Sequence, residues 1–306
     1  MNYEIVLSGI FSSLFIASII RIGTPLIFAS AGGLVAELTG AINIALEGIM
    51  LAAAFTGVVM SHFTGSAFIG MFSGMFVGML VGLLLGFFHL HFKTNAILAG
   101  IAVNVMCAGS TVFLLVNFTG EKGNSSSLAS GVLPRIDLPL IRSIPFLDVV
   151  LSGYNLLTYL AFLAAFLVYI LLFKTKLGRH LRAVGENAEA AASVGINVNK
   201  MKYIAYGISG LVASLGGVNL SMGYLSIFQR DMTAGRGFIA LAAIFLGGKR
   251  PMGVLLAALF FGFADALANQ IGSLGLPPQW IQMIPYVATI LALVIANFMG
   301  TGKKTK

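Results

Sequence analysis

Long apolar runs alternate with short polar breaks along the whole chain. The runs fall near 5–36, 43–60, 68–89, 95–117, 156–173, 203–222, 238–248, 252–269 and 281–299. A helix that crosses a bilayer needs roughly 20 apolar residues, so most of these runs predict spans. The first is interrupted by Arg21, Gly23 and Pro25 and reads as one broken element or as two short ones. The seventh is too short to cross alone and predicts a half-helix preceded by non-helical chain. The expected fold class is an all-α membrane protein, a polytopic bundle of about 8–10 spans with interrupted helices, in a single domain over 1–306.

Composition agrees with that pattern. The chain is 58% hydrophobic and 9% charged, with a mean hydropathy of +0.98, which excludes a soluble enzyme built on a large core. A net charge of +8 would suggest nucleic acid in a soluble protein. Here the basic residues sit in loops beside spans, so topology accounts for them and no nucleic-acid partner is expected. Cys107, the one cysteine, lies inside an apolar run and has no internal disulfide partner. The start, Met1 to Glu4, lacks the basic region of a cleaved signal peptide, so the first run is expected to stay.

Charge also orients the chain. The breaks His89–Lys93, 174–202, Lys249–Arg250 and the tail Lys303–Lys306 fall on one side if the spans alternate, and the 118–155 loop falls on the other. The positive-inside rule then places 174–202 and the C-terminus in the cytoplasm, with 118–155 external, in the cell membrane. Nine crossings put the N-terminus outside; splitting the first run puts it inside.

Within 174–202, Lys174, Lys176, Arg179, Arg182, Lys200 and Lys202 face two acids, Glu186 and Glu189. Its middle predicts a short helix, with Gly185 or Asn187 near the start, acids in the first turn and Gly195 as the stop. Ala190, Ala191 and Val194 would give it a small, smooth face. A docking helix pushed by a partner and an ordinary solvated loop both fit that composition.

Inside the apolar runs, Gly70, Gly74, Gly78, Gly82 and Gly86 recur every fourth residue and predict a surface for close helix approach. Segment 40–53 can be laid on 235–248 with six identities, Gly40 over Gly235 among them, each copy following a polar breaker. Interrupted helices in corresponding halves point to a transport pathway; chance similarity of apolar segments is the alternative. Asn43, Glu47, Asn104, Asn219 and Asp265 are the candidate pathway residues, with Asn269 beside Asp265. Polar groups in a span usually face a cavity or a partner. The pairs Asn43/Glu47 and Asp265/Asn269 are each four apart and share a helix face. A polar lining for a hydroxylated solute and plain interhelical hydrogen bonding both account for them.

Other chemistry falls away. His89 and His91 have no Cys, Asp or Glu nearby to complete a metal site, and neither HExxH nor GxSxG occurs. Asn124-Ser125-Ser126 matches a common glycosylation pattern. The tail from Gly300 to Thr305 lacks the phosphate-loop spacing and a preceding strand, so the chain is not expected to hydrolyse nucleotide or to hold a catalytic residue, metal or cofactor.

Glu189-Ala190-Ala191 followed by Gly195 resembles the EAA-x-x-x-G signature of permeases in ATP-driven importers. Four segments extend the likeness over nearly the whole chain: TGAINIALEGIM at 39–50, NAILAGIAVN at 95–104, GENAEAAASVGI at 185–196 and GRGFIALAAIFLGG at 235–248. Together they resemble the permeases of branched-chain amino acid, ribose and nucleoside importers, and most of all the nucleoside branch. Ala96 stands where that pattern has a polar residue.

The resemblance implies a permease subunit of a bacterial nucleoside ABC importer. Its partners would be a second, often different permease chain, two cytoplasmic ATPases that hold the ATP, and an extracellular binding lipoprotein. Gly185, Glu186, Asn187, Glu189, Ala190, Ala191 and Gly195 would form the cytoplasmic coupling helix that docks on the ATPase. The alternatives are a permease for ribose or another sugar, and a stand-alone secondary transporter or channel.

Overall fold

The computed structural model describes residues 12–137, 139, 145–272 and the single positions 287 and 294. Apart from those two positions, the run at 281–299 and the basic tail lie outside the described residues, as does the chain before Ser12. The helices are α1 (Ser13–Glu37), α2 (Leu46–Thr64), α3 (Ala67–Leu90), α4 (Ala96–Thr119), α5 (Pro145–Leu151) and α6 (Leu156–Lys174). They continue with α7 (Lys176–Glu186), α8 (Ala188–Ser193), α9 (Val198–Val218), α10 (Arg236–Leu246) and α11 (Pro251–Gly272). Residues Asn219–Gly223 extend α9 by a π-helical turn. Seven of these, α1, α2, α3, α4, α6, α9 with its extension, and α11, are long and apolar enough to cross a membrane.

Two expectations need refinement. The first run is one continuous helix from Ser13, with Pro25 inside it. Proline is tolerated in such a helix where neighbours enclose the disturbed turn, and Gly216 of α9 packs against the Pro25 carbonyl. The 174–202 loop holds two helices instead of one short helix. Gly185 and Glu186 end α7, Asn187 caps α8 by accepting from the Ala190 N–H at 3.0 Å, and Gly195 stops it at φ +84°. The all-α expectation also gains a small antiparallel ladder, β1 (Arg135–Ile136) with β2 (Tyr154–Asn155), in the 118–155 loop.

Glycines let the backbones at the centre touch. The predicted row on α3 is buried along its whole length. A Cβ on Gly74 would lie 2.9 Å from the Ala53 carbonyl oxygen of α2, and one on Gly82 would lie 2.5 Å from the Tyr206 carbonyl oxygen of α9. The row is thus a packing surface shared between α2 and α9, and lipid offers no hydrophobic drive that would close such a contact if a side chain held it open. Gly82→Leu is expected to lower stability by about 3 kcal/mol, the scale of a severe overpacking change. Thermal unfolding of the purified chain in detergent measures this; an unchanged midpoint would mean the two helices do not meet there. The outer helices turn large apolar side chains such as Phe113 and Phe166 outward, as lipid-facing helices do.

At one end of the bundle lie α7, α8 and the Glu37–Lys249 ion pair, with Nζ 2.6 Å from Oε1. At the other end the 118–155 loop is laced to the non-helical chain before α10. The Arg230 N–H donates to the Gly123 carbonyl at 2.8 Å, Ser125 N–H to Phe228 at 2.9 Å, and Leu133 N–H to Met222 at 3.0 Å. The chain therefore returns across the slab between α9 and α11 as irregular backbone followed by α10. Eleven residues of α-helix reach about 16 Å, roughly half of a hydrocarbon core. The predicted half-helix is present, and its first residue, Arg236, is part-buried with its side chain 25% exposed.

Candidate functional site

The start of α10 is built from strained backbone. Asp231, Ala234 and Gly235 take left-handed φ values of +58°, +46° and +81°, a conformation only glycine adopts without cost. The turn leaves the first N–H groups of α10 without helical partners, and no side chain of its own caps them. Glu47 does so from α2. Its Oε1 accepts from Gly235 N–H at 2.8 Å and its Oε2 from Gly237 N–H at 2.6 Å. Glu47 also lies in the first turn of α2, so one carboxylate serves two helix starts, where negative charge is favoured. Gly237 has to be glycine, since a Cβ there would lie 2.9 Å from Glu47 Oε2 and would run into the Glu47 backbone.

Arg236 stands between these two glycines. Its Nη1 donates to the Met232 and Thr233 carbonyls at 3.3 Å each, and its Nη2 lies 3.9 Å from Asp265 Oδ2 on α11. The Arg236 Nε and the Thr233 Oγ1 are buried with no hydrogen-bond partner among the described residues. Two unsatisfied polar atoms beside a charge pair cost free energy in a dry interior, and such orphans mark a place where a polar guest would be stabilised.

Of the candidate pathway residues, Glu47 and Asp265 are thus brought to one centre, joined through the start of α10. Asn104 supports it from α4. Its Oδ1 accepts from Gly48 N–H at 2.7 Å and its Nδ2 donates to the Ile44 carbonyl at 2.9 Å. Asn43 is buried; it donates to Ser209 Oγ at 2.8 Å and accepts from Ala45 N–H at 3.1 Å, holding the turn that enters α2. These two asparagines carry structural hydrogen bonds. Asn219 belongs elsewhere, donating to Asn155 Oδ1 at 3.4 Å in a second polar cluster with Thr158 and Tyr224. Asn269 is exposed and adds nothing described to Asp265.

The echo between 40–53 and 235–248 does not superpose the helix starts. Gly40 and Gly235 are both left-handed, but α2 begins six residues after the first and α10 one residue after the second. Arg236 and Thr233 are the members the sequence reading passed over. An arginine set between two glycines ahead of an apolar run was the available signal.

On α8, Glu189 and Ala190 are exposed and Val194 is 75% exposed, whereas Ala191 is 4% exposed and points into the protein. The expected common face of Ala190, Ala191 and Val194 is therefore split, because Ala191 closes the turn that returns to α9 through its carbonyl and Ile196 N–H. Leu181 and Val184 anchor α7 as fully buried side chains.

Multiple apolar crossings, a half-helix too short to cross and a part-buried polar centre held at its start are the features of a membrane permease. The family described as "Branched-chain amino acid transport system / permease component" matches residues 15–293, and the chain belongs to it. Among its relatives, the guanosine ABC transporter permease protein NupQ of Bacillus subtilis is 35% identical over 96% of this chain and 94% of its own. The nucleoside ABC transporter permease protein NupC of Lactococcus lactis is also 35% identical, over 93% and 92%. Among solved structures, PsaBC from Streptococcus pneumoniae in complex with Fab aligns over 95% of both chains with a TM-score of 0.55 at 15% identity, a likeness of fold.

Proposed function

We propose that the chain is the permease subunit of an ABC importer that carries nucleosides into the cell, driven by separate ATPase subunits. The observation that supports this best is the centre at the start of α10, where Glu47, two backbone N–H groups, Arg236 and Asp265 meet inside an apolar bundle. A nucleoside is uncharged and rich in hydroxyls and ring nitrogens, so it suits a centre where the Arg236 Nε donor and the Thr233 hydroxyl have no partner among the described residues. The substrate printed in the names of NupQ and NupC adds to the same reading.

The remaining partners follow from this reading: a second permease chain, two cytoplasmic ATPases docking on α8, and an external binding lipoprotein. The docking surface is the exposed side of α8, with Glu189, Ala190 and Val194 outward. Basic loops would keep α7, α8 and the C-terminus in the cytoplasm.

Uptake of a panel of labelled nucleosides by cells with and without this chain, partner subunits present and no redundant system, tests the proposal. Loss of nucleoside uptake that ribose does not compete for is the expected result. Unchanged nucleoside uptake overturns it, and competition by ribose at similar concentration would move the substrate to the sugars.

A further inference from the structure

We infer that the connection between α1 and α2, residues 38–45, is the lever that carries displacement of the coupling helices to the half-helix α10. The inference rests on the reading of α7 and α8 as the ATPase-facing element and adds the route by which that element acts.

One contact on this short segment and two made by the residues that flank it carry the inference. At its near end the segment touches α7 backbone to backbone. A Cβ on Gly185 would collide with the Leu38 carbonyl oxygen and lie 3.1 Å from Gly40 N, and one on Gly40 would lie 3.5 Å from Gly185 Cα. Glycine faces glycine, so no flexible side chain absorbs movement across this joint. At the far end, Glu47 holds both Gly235 and Gly237 at the start of α10. The residue just before the segment, Glu37, holds Lys249 in the turn that closes α10.

The half-helix is therefore gripped at both of its ends by two acids ten residues apart, and both acids flank the segment that α7 touches. The segment itself is stiff. Gly40 N–H donates to Glu37 at 3.1 Å and Ala41 N–H to Ala36 at 3.0 Å, the Tyr206 hydroxyl donates to the Ile42 carbonyl at 3.4 Å, and Asn43 is tied to Ser209. A stiff segment bonded at both ends moves as a unit, which is what transmission between two sites needs. The Glu37 side chain is only 6% exposed and one of its oxygens has no partner among the described residues, so Lys249 is the counter-charge that this carboxylate depends on, and the pair ties the turn after α10 to the segment.

Two measurements test this on the full chain. The first uses the permease assembled with its ATPase and binding subunits, reading nucleoside uptake per ATP hydrolysed in Glu37→Lys, Lys249→Glu and the double exchange. Each single change is expected to lower that ratio about tenfold, inside the common 5–150-fold range of coupling between sites, while the ATPases still co-purify. The double exchange restores the ratio. Singles that leave the ratio unchanged, or a double exchange that does not recover it, overturn the lever.

The second measurement needs no partner. Hydrogen exchange at Gly235 and Gly237 is read in the purified chain carrying Gly185→Ala, whose new methyl group displaces Leu38. Exchange about tenfold faster at those two amides, with the rest of α2 and α3 protected as in the parent, is expected. Parent-like exchange at both amides, or faster exchange throughout, overturns the inference. If the parent assembly shows no ATP-driven uptake but the exchange responds, the ABC reading fails and the lever stands. If ATP-driven uptake is intact and neither readout responds, the lever alone fails.

Discussion

Glu47→Ala is expected to stop transport and to lower stability by about 3 kcal/mol or more, because hydrogen bonds to a charged group contribute about 1.5–3 kcal/mol each. Both oxygens of Glu47 are engaged by backbone N–H groups, and the N-cap position of α10 is a glycine with no side chain to cap it. The change would leave two part-buried donors without partners, and an unmade bond inside the bundle is costly. It would also remove negative charge from the starts of α2 and α10 together. Glu47→Gln keeps the shape and one acceptor oxygen, so it is expected to fall between the parent and alanine in both respects. Thermal unfolding in detergent and nucleoside uptake read the two effects separately. A parent-like alanine variant in both assays would show that α10 does not depend on this carboxylate.

Asp265→Leu should weaken the chain more than the joint replacement of Asp265 and Arg236. The Arg236–Asp265 contact of 3.9 Å is long, and the side chains are 25% and 13% exposed, so the attraction itself is modest. The larger quantity is the cost of a lone guanidinium at that depth, on the order of 2.5–3.5 kcal/mol on insertion scales. A double change, Arg236→Met with Asp265→Leu, removes that lone charge, and replacing both members of a buried pair is often neutral for stability. Its uptake, by contrast, should stay lost, because the pair belongs to the proposed substrate centre. A double-mutant cycle on the unfolding midpoint gives the coupling. Additive single and double effects would place Arg236 and Asp265 in separate roles.

Much of the scaffold was legible from the runs alone. The half-helix at 238–248 showed itself by length, since 11 residues cannot cross, and the α3 glycine row announced a close contact through its four-residue spacing. Glu47 and Asp265 stood out because a carboxylate is rare in an apolar run. What they touch was not legible. Glu47 lies 188 residues from Gly235, and its partners are backbone N–H groups, which every residue but proline carries and which leave no trace in composition. Asn219 was a candidate beside them and falls in another cluster for the same reason: a residue's polarity says that it needs a partner, never which one.

The coupling segment divides in the same way. Asn187, Glu189 and Gly195 have local signatures, a cap, a first-turn acid and a left-handed stop, which short-range geometry decides. Ala190 and Ala191 are alike in sequence, and only packing turns one outward and the other in.

By itself, then, the chain's order of apolar and polar residues determined that it is a multi-span membrane protein, where the seven described spans and the half-helix lie, and which loop is basic. Those are properties of transfer from water to lipid and of local hydrogen bonding, summed residue by residue. Tertiary structure alone decided that Glu47, Arg236 and Asp265 share one centre, and that Gly185 rests on the α1–α2 connection. Contacts between residues on different helices, from 29 positions apart for Arg236 and Asp265 to 188 for Glu47 and Gly235, depend on how helices cross, and no local preference encodes a crossing.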